Sequence, residues 1–441
     1  MNESDKKDKQ YDDFSSMGIN PKILKILEKQ KISRPTPIQH QAIPSGLKGK
    51  DLIGVAQTGT GKTFAFGIPM LQQLSSGKKR GLIVLPTREL AYQVEEALRP
   101  FASALGIRMA VFVGGASMQL QRRDIKRNPR ILIATPGRLN DHLERKTVSL
   151  KEVELLVLDE ADRMLDMGFK PQINKILSHI PRERQTLLFS ATMPQDIVKL
   201  ATAQMNLPLR IEVAPAGTAA AKVEQELIIV RQHDKQKLLI SLLKEFKGQV
   251  LVFSRTKHGA KKITHALNEE DLRAAEIHSN RSLAQRRKAL EGFKRGKYSV
   301  LVATDIASRG IDVTDIGLVV NYDLPEDPSD YVHRIGRTGR AEREGLAISF
   351  ATPTQARNIR DIEKLIRTSL QRREHESIPA LSMDSRSSKP RSSRGGGGGR
   401  SRGGSGGRNR SGTSSRGRKS YPRKSNSRKP RSSSRKKRSE G

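Results

Sequence analysis

The chain has no cysteine and no tryptophan among its 441 residues. Without cysteine there are no disulfides, thiolate metal sites or cysteine nucleophiles, and nothing points to an oxidising compartment. Aromatic residues make up only 4%, which argues against an aromatic stacking platform of the RRM or OB type. Long apolar runs are missing as well. No stretch approaches the roughly 20 residues that span a bilayer, and Met1 to Gln10 are polar, unlike a signal peptide. A soluble, intracellular protein is therefore expected. The nine histidines are scattered, so no zinc site is expected. Acidic residues are outnumbered 46 to 82 by Lys and Arg, a formal net charge of +36. Such an excess points to a polyanionic partner, and the lack of apolar segments favours nucleic acid over a membrane surface.

Half of that charge sits at one end. From Asp384 to Gly441 there are 20 Lys and Arg against 2 acidic residues, a net of +18, with five consecutive glycines between Arg394 and Arg400. This composition cannot bury enough apolar surface to fold, so a disordered basic tail is expected. Its run Arg435-Lys436-Lys437-Arg438 would serve as a nuclear signal in a eukaryotic cell.

What precedes the tail alternates short apolar runs with helical patterns. Strands are expected at Leu52 to Ala56, Gly81 to Leu85, Met109 to Val113, Ile131 to Ala134, Leu155 to Leu158 and Thr186 to Ser190. Helical patterns such as Glu89 to Phe101 lie between them. Pro, Gly and Ala then cluster at 214–222, a linker signal. A second set follows at Leu227 to Val230, Val250 to Phe253, Ala274 to Ile277, Val300 to Ala303, Leu318 to Asn321 and Ala347 to Phe350, with helices such as Lys235 to Glu245 and Ala284 to Lys294. The expected architecture is α/β: two tandem domains, each a mostly parallel sheet covered by helices on both faces.

Two motifs carry chemistry. Ala56-Gln57-Thr58-Gly59-Thr60-Gly61-Lys62-Thr63 follows the first strand and precedes the helix-compatible run Phe64 to Leu74. A glycine-rich loop there offers backbone N–H groups to phosphates, Lys62 reaches the β/γ oxygens, and the Thr63 hydroxyl ligates magnesium. Asp159-Glu160-Ala161-Asp162 ends a buried strand. Asp159 is placed to hold Mg2+ through its water shell, and Glu160 to orient and deprotonate an attacking water. Together they describe a nucleoside triphosphatase. Positive charge for the γ-phosphate comes from His333-Arg334-Ile335-Gly336-Arg337-Thr338-Gly339-Arg340. Arg337 and Arg340 are three apart, one helical turn, so both are expected to face the same phosphate as arginine fingers.

These residues, with others in the same order, resemble the DEAD-box RNA helicases of superfamily 2 from Asp12 to about Arg367. Pro35-Thr36-Pro37-Ile38-Gln39 is similar to the Q motif. Pro86-Thr87-Arg88-Glu89-Leu90-Ala91, Gly114-Gly115 and Thr135-Pro136-Gly137-Arg138 resemble the RNA-facing motifs. Ser190-Ala191-Thr192 is similar to the element that couples hydrolysis to strand separation. Val252 to Thr256, Ala303 to Asp312 and the 333–340 segment complete the series.

The resemblance implies two RecA-like domains at 42–213 and 223–370, with a Q-motif segment at 1–41, a linker at 214–222 and the disordered tail at 371–441. It implies ATP and Mg2+ as ligands and RNA as partner, with Gln39 reading the adenine edge, Phe14 packing on its ring and Asp312 touching ribose. Thr87, Arg88, Gly115, Thr135, Arg138, Arg255 and Thr304 would grip RNA through sugar and phosphate, which predicts sequence-independent binding. Ser190, Thr192 and His333 would couple the two sites. The domains resemble the bacterial RhlE-type subgroup, which implies a cytoplasmic location. A DNA helicase of the same superfamily and a non-enzymatic RNA chaperone are the alternatives. Departures fall at Lys31 and Ile32, at Leu283 in place of the Gln of a QxxR motif whose Arg is Arg286, and at Ser308.

Overall fold

A computed structural model describes residues 13–381, apart from 58, 78, 214–222, 309–315 and 340–344. The expectations for Thr58, Asp312, Arg340, the linker and the tail from 382 onward lie outside the described residues.

The first domain contains β1 (Leu52–Val55), β2 (Arg80–Val84), β3 (Met109–Phe112), β4 (Ile131–Ala134), β5 (Val153–Leu158), β6 (Gln185–Ser190) and β7 (Leu209–Glu212). They form one parallel sheet in the order β3-β4-β2-β5-β6-β1-β7. Every residue of β1, β4 and β6 is buried, the mark of strands covered on both faces. Alternate side chains serve opposite cores, Ile83 and Val157 on one side, Leu82 and Leu156 on the other. The covering helices are α1 (Pro21–Lys29), α2 (Pro37–Leu47), α3 (Lys62–Ser75), α4 (Arg88–Ala104), α5 (Met118–Lys126), α6 (Pro136–Glu144), α7 (Ala161–Asp166), α8 (Lys170–Leu177) and α9 (Gln195–Gln204).

The second domain repeats the plan with β8 (Val223–Ile229), α10 (Lys235–Glu245), β9 (Gln249–Phe253), α11 (Lys257–Glu269), β10 (Ala274–Ile277), α12 (Leu283–Lys294) and β11 (Val300–Ala303). It continues with α13 (Asp305–Ser308), β12 (Ile316–Asn321), α14 (Pro328–Ile335), β13 (Gly345–Ala351), α15 (Ala356–Ile366) and β14 (Gln371–Arg372). The strand order is β10-β11-β9-β12-β13-β8-β14, again parallel.

Three expectations are corrected. Strands β7 and β14 were not anticipated: each is a short edge strand, and only one residue of β7 is buried. The second domain does not stop at 370, since β14 pairs with β8 and Ile378 is buried in the second domain's core. Arg337 is not on a helix. Helix α14 ends at Ile335 with Gly336 as its cap, and Gly339 takes a left-handed φ of +66°. A basic helical turn is thus replaced by a glycine-punctuated turn. Among the described residues no helix is long and apolar enough to cross a membrane.

Candidate active site and nucleic-acid interface

Functional loops in a parallel α/β sheet gather beyond the carboxyl ends of the strands, and the strand order divides them here. The phosphate loop follows β1, the acidic motif follows β5 and Ser190 closes β6, so the triphosphatase residues share the β5-β6-β1 half. Thr87, Gly114-Gly115 and Thr135 follow β2, β3 and β4, the other half of the same sheet.

In the phosphate loop, Gly61 sits at a φ of +91° and precedes Lys62, the first residue of α3. A side chain on Gly61 would collide with the Gln39 amide and the Thr36 hydroxyl. Lys62 is buried; its ammonium donates to the Ala56 carbonyl at 3.1 Å and lies 3.7 Å from Asp159. The Ala56 N–H donates to the Ser190 carbonyl at 2.9 Å, and the Thr60 hydroxyl to the Gln57 carbonyl at 2.7 Å. Gln57 and Thr60 are half-buried, Gly59 is exposed, and Thr63 is half-buried in the first turn of α3. Gln39 accepts from the Thr36 N–H at 3.0 Å and donates to the Gly61 carbonyl at 2.9 Å. Its amide retains one N–H and one lone pair. Phe14 is buried in the first domain's core and borders a cleft of about 660 Å³ shared with Lys31 and Ile32.

Asp159 and Glu160 are both buried, and Glu160 adopts the left-handed region at φ +52°, a strained conformation for a side-chain-bearing residue. Burial raises the Asp159 pKa to about 6 even though Lys62 opposes it. For Glu160, burial pushes up as well, but Arg163, Lys62 and Arg337 outweigh it and hold the carboxyl at about 2. Arg163 donates to one Glu160 oxygen at 2.9 Å, while the other, Oε1, is buried with no hydrogen-bond partner. The charge of Arg337, from the second domain, acts on this carboxylate, and Gly336 lies beside Gln57 of the phosphate loop. His333 sits among Arg163, Asp162 and Arg337; burial chiefly lowers its pKa to about 4, leaving the ring neutral near pH 7.

Several contributors escaped the sequence reading. Asp162 Oδ2 accepts from the Ala191 N–H, the Thr192 N–H and the Thr192 hydroxyl at 2.8–3.1 Å, and the Ser190 hydroxyl accepts from the Asp162 N–H at 3.2 Å. Ser190 and Thr192 therefore reach the acidic motif through Asp162. Arg334, also buried, grips Asp305 with two hydrogen bonds at 2.6 and 2.8 Å and donates to the Asp323 carbonyl at 2.6 Å. Charged residues at such spacing read as solvated surface, and only their burial shows otherwise.

On the other half of the sheet, Thr87 and Thr135 cap α4 and α6. A side chain on Gly115, at φ +75°, would collide with the Arg88 guanidinium. Arg138 donates to the Ala116 carbonyl at 2.9 Å, so Arg88, the Gly114-Gly115 turn and Arg138 form one connected face. In the second domain, Arg255 follows β9 and is exposed, its N–H held by Asp323 at 3.1 Å, and Thr304 follows β11. The domains meet where Arg286 of α12 pairs with Glu89 of α4 at 2.9 Å.

The family model of the DEAD/DEAH box helicases matches residues 36–200, and that of the helicase conserved C-terminal domain matches residues 234–342. The chain is 44% identical over 361 residues to the ATP-dependent RNA helicase CshA of Listeria monocytogenes, covering 81% of this chain and 69% of that protein. It is 44% identical over 349 residues to the ATP-dependent rRNA helicase RRP3 of Meyerozyma guilliermondii, covering 78% and 74%. The structure of S. cerevisiae Dbp5 bound to RNA and ADP BeF3 matches with a TM-score of 0.73 at 29% identity, covering 81% of this chain and 95% of that one. With Asp159-Glu160-Ala161-Asp162 at the end of β5, this chain belongs to the DEAD-box helicase family.

Proposed function

We infer that this protein is an ATP-dependent RNA helicase that separates short RNA duplexes locally, binding RNA by its backbone. The observation that carries this reading is that the charge of Arg337 from one domain acts on Glu160 of the other, beside the Lys62–Asp159 pair. ATP bound at the loop would be completed as a site only when the domains close.

Lys62 binds the β/γ oxygens and Arg337 the γ-phosphate, where charge develops as the bond breaks. The free Oε1 of Glu160 orients the attacking water and takes its proton. At a pKa of about 2 Glu160 is a poor base. Phosphate charge beside Lys62 and Arg337 offsets two of the cations that hold it down, so its basicity rises only in the loaded, closed cleft. The unused N–H and lone pair of Gln39 match the two hydrogen bonds an adenine edge offers.

Among the described residues no group of three or more His, Asp or Glu could hold a metal ion. Mg2+ suits such a site, since it keeps several waters and binds through one or two carboxylates plus substrate phosphates. Asp159, with Thr63, would hold it, and it would neutralise phosphate charge. Thr87, Arg88, Gly115, Thr135, Arg138, Arg255 and Thr304 would line the RNA path. A cytoplasmic location and the bacterial RhlE-like subgroup belong to the same proposal.

The test is ATPase activity and strand displacement with short RNA and DNA duplexes of one sequence. RNA alone should stimulate both. Equal stimulation by DNA would favour the DNA helicase, and RNA annealing without ATP use the chaperone.

A further inference from the structure

Behind the face made by Arg88, Gly114-Gly115 and Arg138 lies a buried polar chain. Gln121 of α5 donates through its side-chain N–H to the Val113 carbonyl at 3.0 Å, just before the glycine pair. Its Oε1 accepts from Arg138 at 3.1 Å. A guanidinium only donates and a backbone carbonyl only accepts, so the orientation of this amide is fixed. The same Oε1 lies 3.0 Å from His142 Nε2, which must therefore carry the proton, and Nδ1 then accepts from the Thr147 hydroxyl at 2.8 Å. His142 is completely buried against Phe112, at 4.9 Å between ring centroids. Burial, with Arg138 adding to it, lowers the His142 pKa to about 4, so the ring remains a neutral single tautomer around pH 7.

Arg138 and the glycine turn come from different loops, after β4 and β3, and one direct hydrogen bond, from Arg138 to the Ala116 carbonyl, joins them. Gln121 adds a second, buried tie that braces this contact from behind. One of its ends is tied to the turn and the other to the guanidinium, and His142 and Thr147 hold it in that pose. We propose that Gln121 and His142 are positioning residues for RNA, fixing the glycine turn and Arg138 at the spacing a sugar-phosphate backbone requires. The proposal rests on reading this face as the RNA interface.

The experiment measures RNA-stimulated ATPase in the full chain with a single-stranded RNA oligonucleotide. Gln121→Met keeps volume and removes every hydrogen bond of the amide. The half-saturating RNA concentration should rise about tenfold, as for loss of a charge-assisted hydrogen bond. Turnover at saturating RNA should stay within about twofold, because RNA binding and not the chemical step is affected. Thr147→Val, at the edge of the network, should give a smaller rise in the same direction. His142→Gln, which retains a donor near Nε2, should keep more RNA affinity than His142→Leu. In 15N spectra His142 should show one Nε2-protonated tautomer in the wild type and a mixture in Gln121→Met.

Arg138→Ala distinguishes failure of the RNA face from failure of the positioning role. If it leaves half-saturation unchanged, the face does not bind RNA. If it weakens RNA binding while folded Gln121→Met and Thr147→Val do not, the positioning role is wrong. A loss of turnover and thermal stability in Gln121→Met at unchanged half-saturation makes the chain merely structural and also overturns it. Should Gln121→Met fail to fold, Thr147→Val and the His142 pair decide.

Discussion

The two sheets have the same strand order, and matching positions can be compared directly. On the half proposed to face RNA they agree. Thr87 follows β2 and caps α4, as Thr256 follows β9 and caps α11, while Thr135 after β4 is matched by Thr304 after β11. On the nucleotide half they share a frame but not its use. In the first domain Lys62 opens the helix after the first strand and faces Asp159 beyond β5. In the second, Lys235 opens α10 after β8 and faces Asp323 beyond β12 at 3.1 Å. Lys235, however, also donates to the Tyr322 carbonyl at 2.7 Å and lies 5.4 Å from that ring's centroid. No glycine-rich loop precedes it. Lys62 likewise is buried and donates to a carbonyl, that of Ala56, so the difference lies in the phosphate loop before Lys62 and in Asp323, which holds the Arg255 N–H and whose carbonyl receives Arg334.

The largest effect is expected at Glu160, the general base proposed in the first domain, compared with Asp323 in the second. Glu160→Gln should lower ATP turnover at least ~100-fold, as for removal of a general base, while ATP still binds. Asp323→Asn should leave single-turnover hydrolysis within a few fold and act on RNA affinity and folding. Near-normal turnover in Glu160→Gln would remove the base assignment.

Next comes stability, where the order reverses. Lys235→Met leaves Asp323 without its buried cation, and breaking such a pair costs about 3–5 kcal/mol. Lys62→Met should cost about 1–2 kcal/mol or less, because Asp159 is already near neutrality and takes up a proton instead. Urea unfolding of both variants checks this. Equal losses would show that the two pairs are built for the same purpose.

How much of this was legible in the sequence follows from burial. The strands were legible because a parallel sheet covered on both faces needs uninterrupted apolar runs, and Leu155 to Leu158 or Val300 to Ala303 satisfy that. β7 was not, since Leu209–Glu212 buries a single residue. Lys62, Asp159 and Glu160 could be read because glycines and adjacent carboxylates at strand ends are uncommon chemistry. Asp162, Arg163, Lys235 and Arg334 could not, because a charge that is buried and paired has the same letter as one in water. Arg337 was identified for its charge but placed on the wrong scaffold, Gly336 having ended the helix before it.

A third difference concerns pH. The raised pKa of Asp159 means that the folded chain binds an extra proton between the ordinary carboxylate range and about 6. Its contribution to stability therefore declines as pH rises through that window and is level above it. Magnesium needs the ionised form, so the metal's half-saturating concentration should rise about tenfold per pH unit below 6 and be flat above. ATPase activity titrated with Mg2+ from pH 5 to 8 checks the break. His333, at about 4, should contribute nothing in that range. A break well below pH 5 would place the metal on another group.

The smallest effect is expected where the two domains meet. Leu283, the first residue of α12, belongs to the second domain yet packs against the apolar core of the first. Beside it Arg286 pairs with Glu89, and the Arg287 guanidinium lies 5.3 Å from the Tyr92 ring centroid. Family resemblance puts a glutamine where Leu283 stands, so this contact exchanges a polar group for an apolar one. Removing its share of buried surface should weaken closure by roughly 1 kcal/mol, about fivefold in the closing equilibrium. In Leu283→Gln, interdomain FRET should show fewer closed molecules at a given level of RNA and ATP analogue. Because closure links the two ligands, each should also favour the other less. ATP affinity without RNA should hardly change, since Leu283 touches neither the phosphate loop nor the acidic motif. Full retention of the closed population would mean that Arg286 and Arg287 hold the domains together alone, and closure should then weaken steeply with salt.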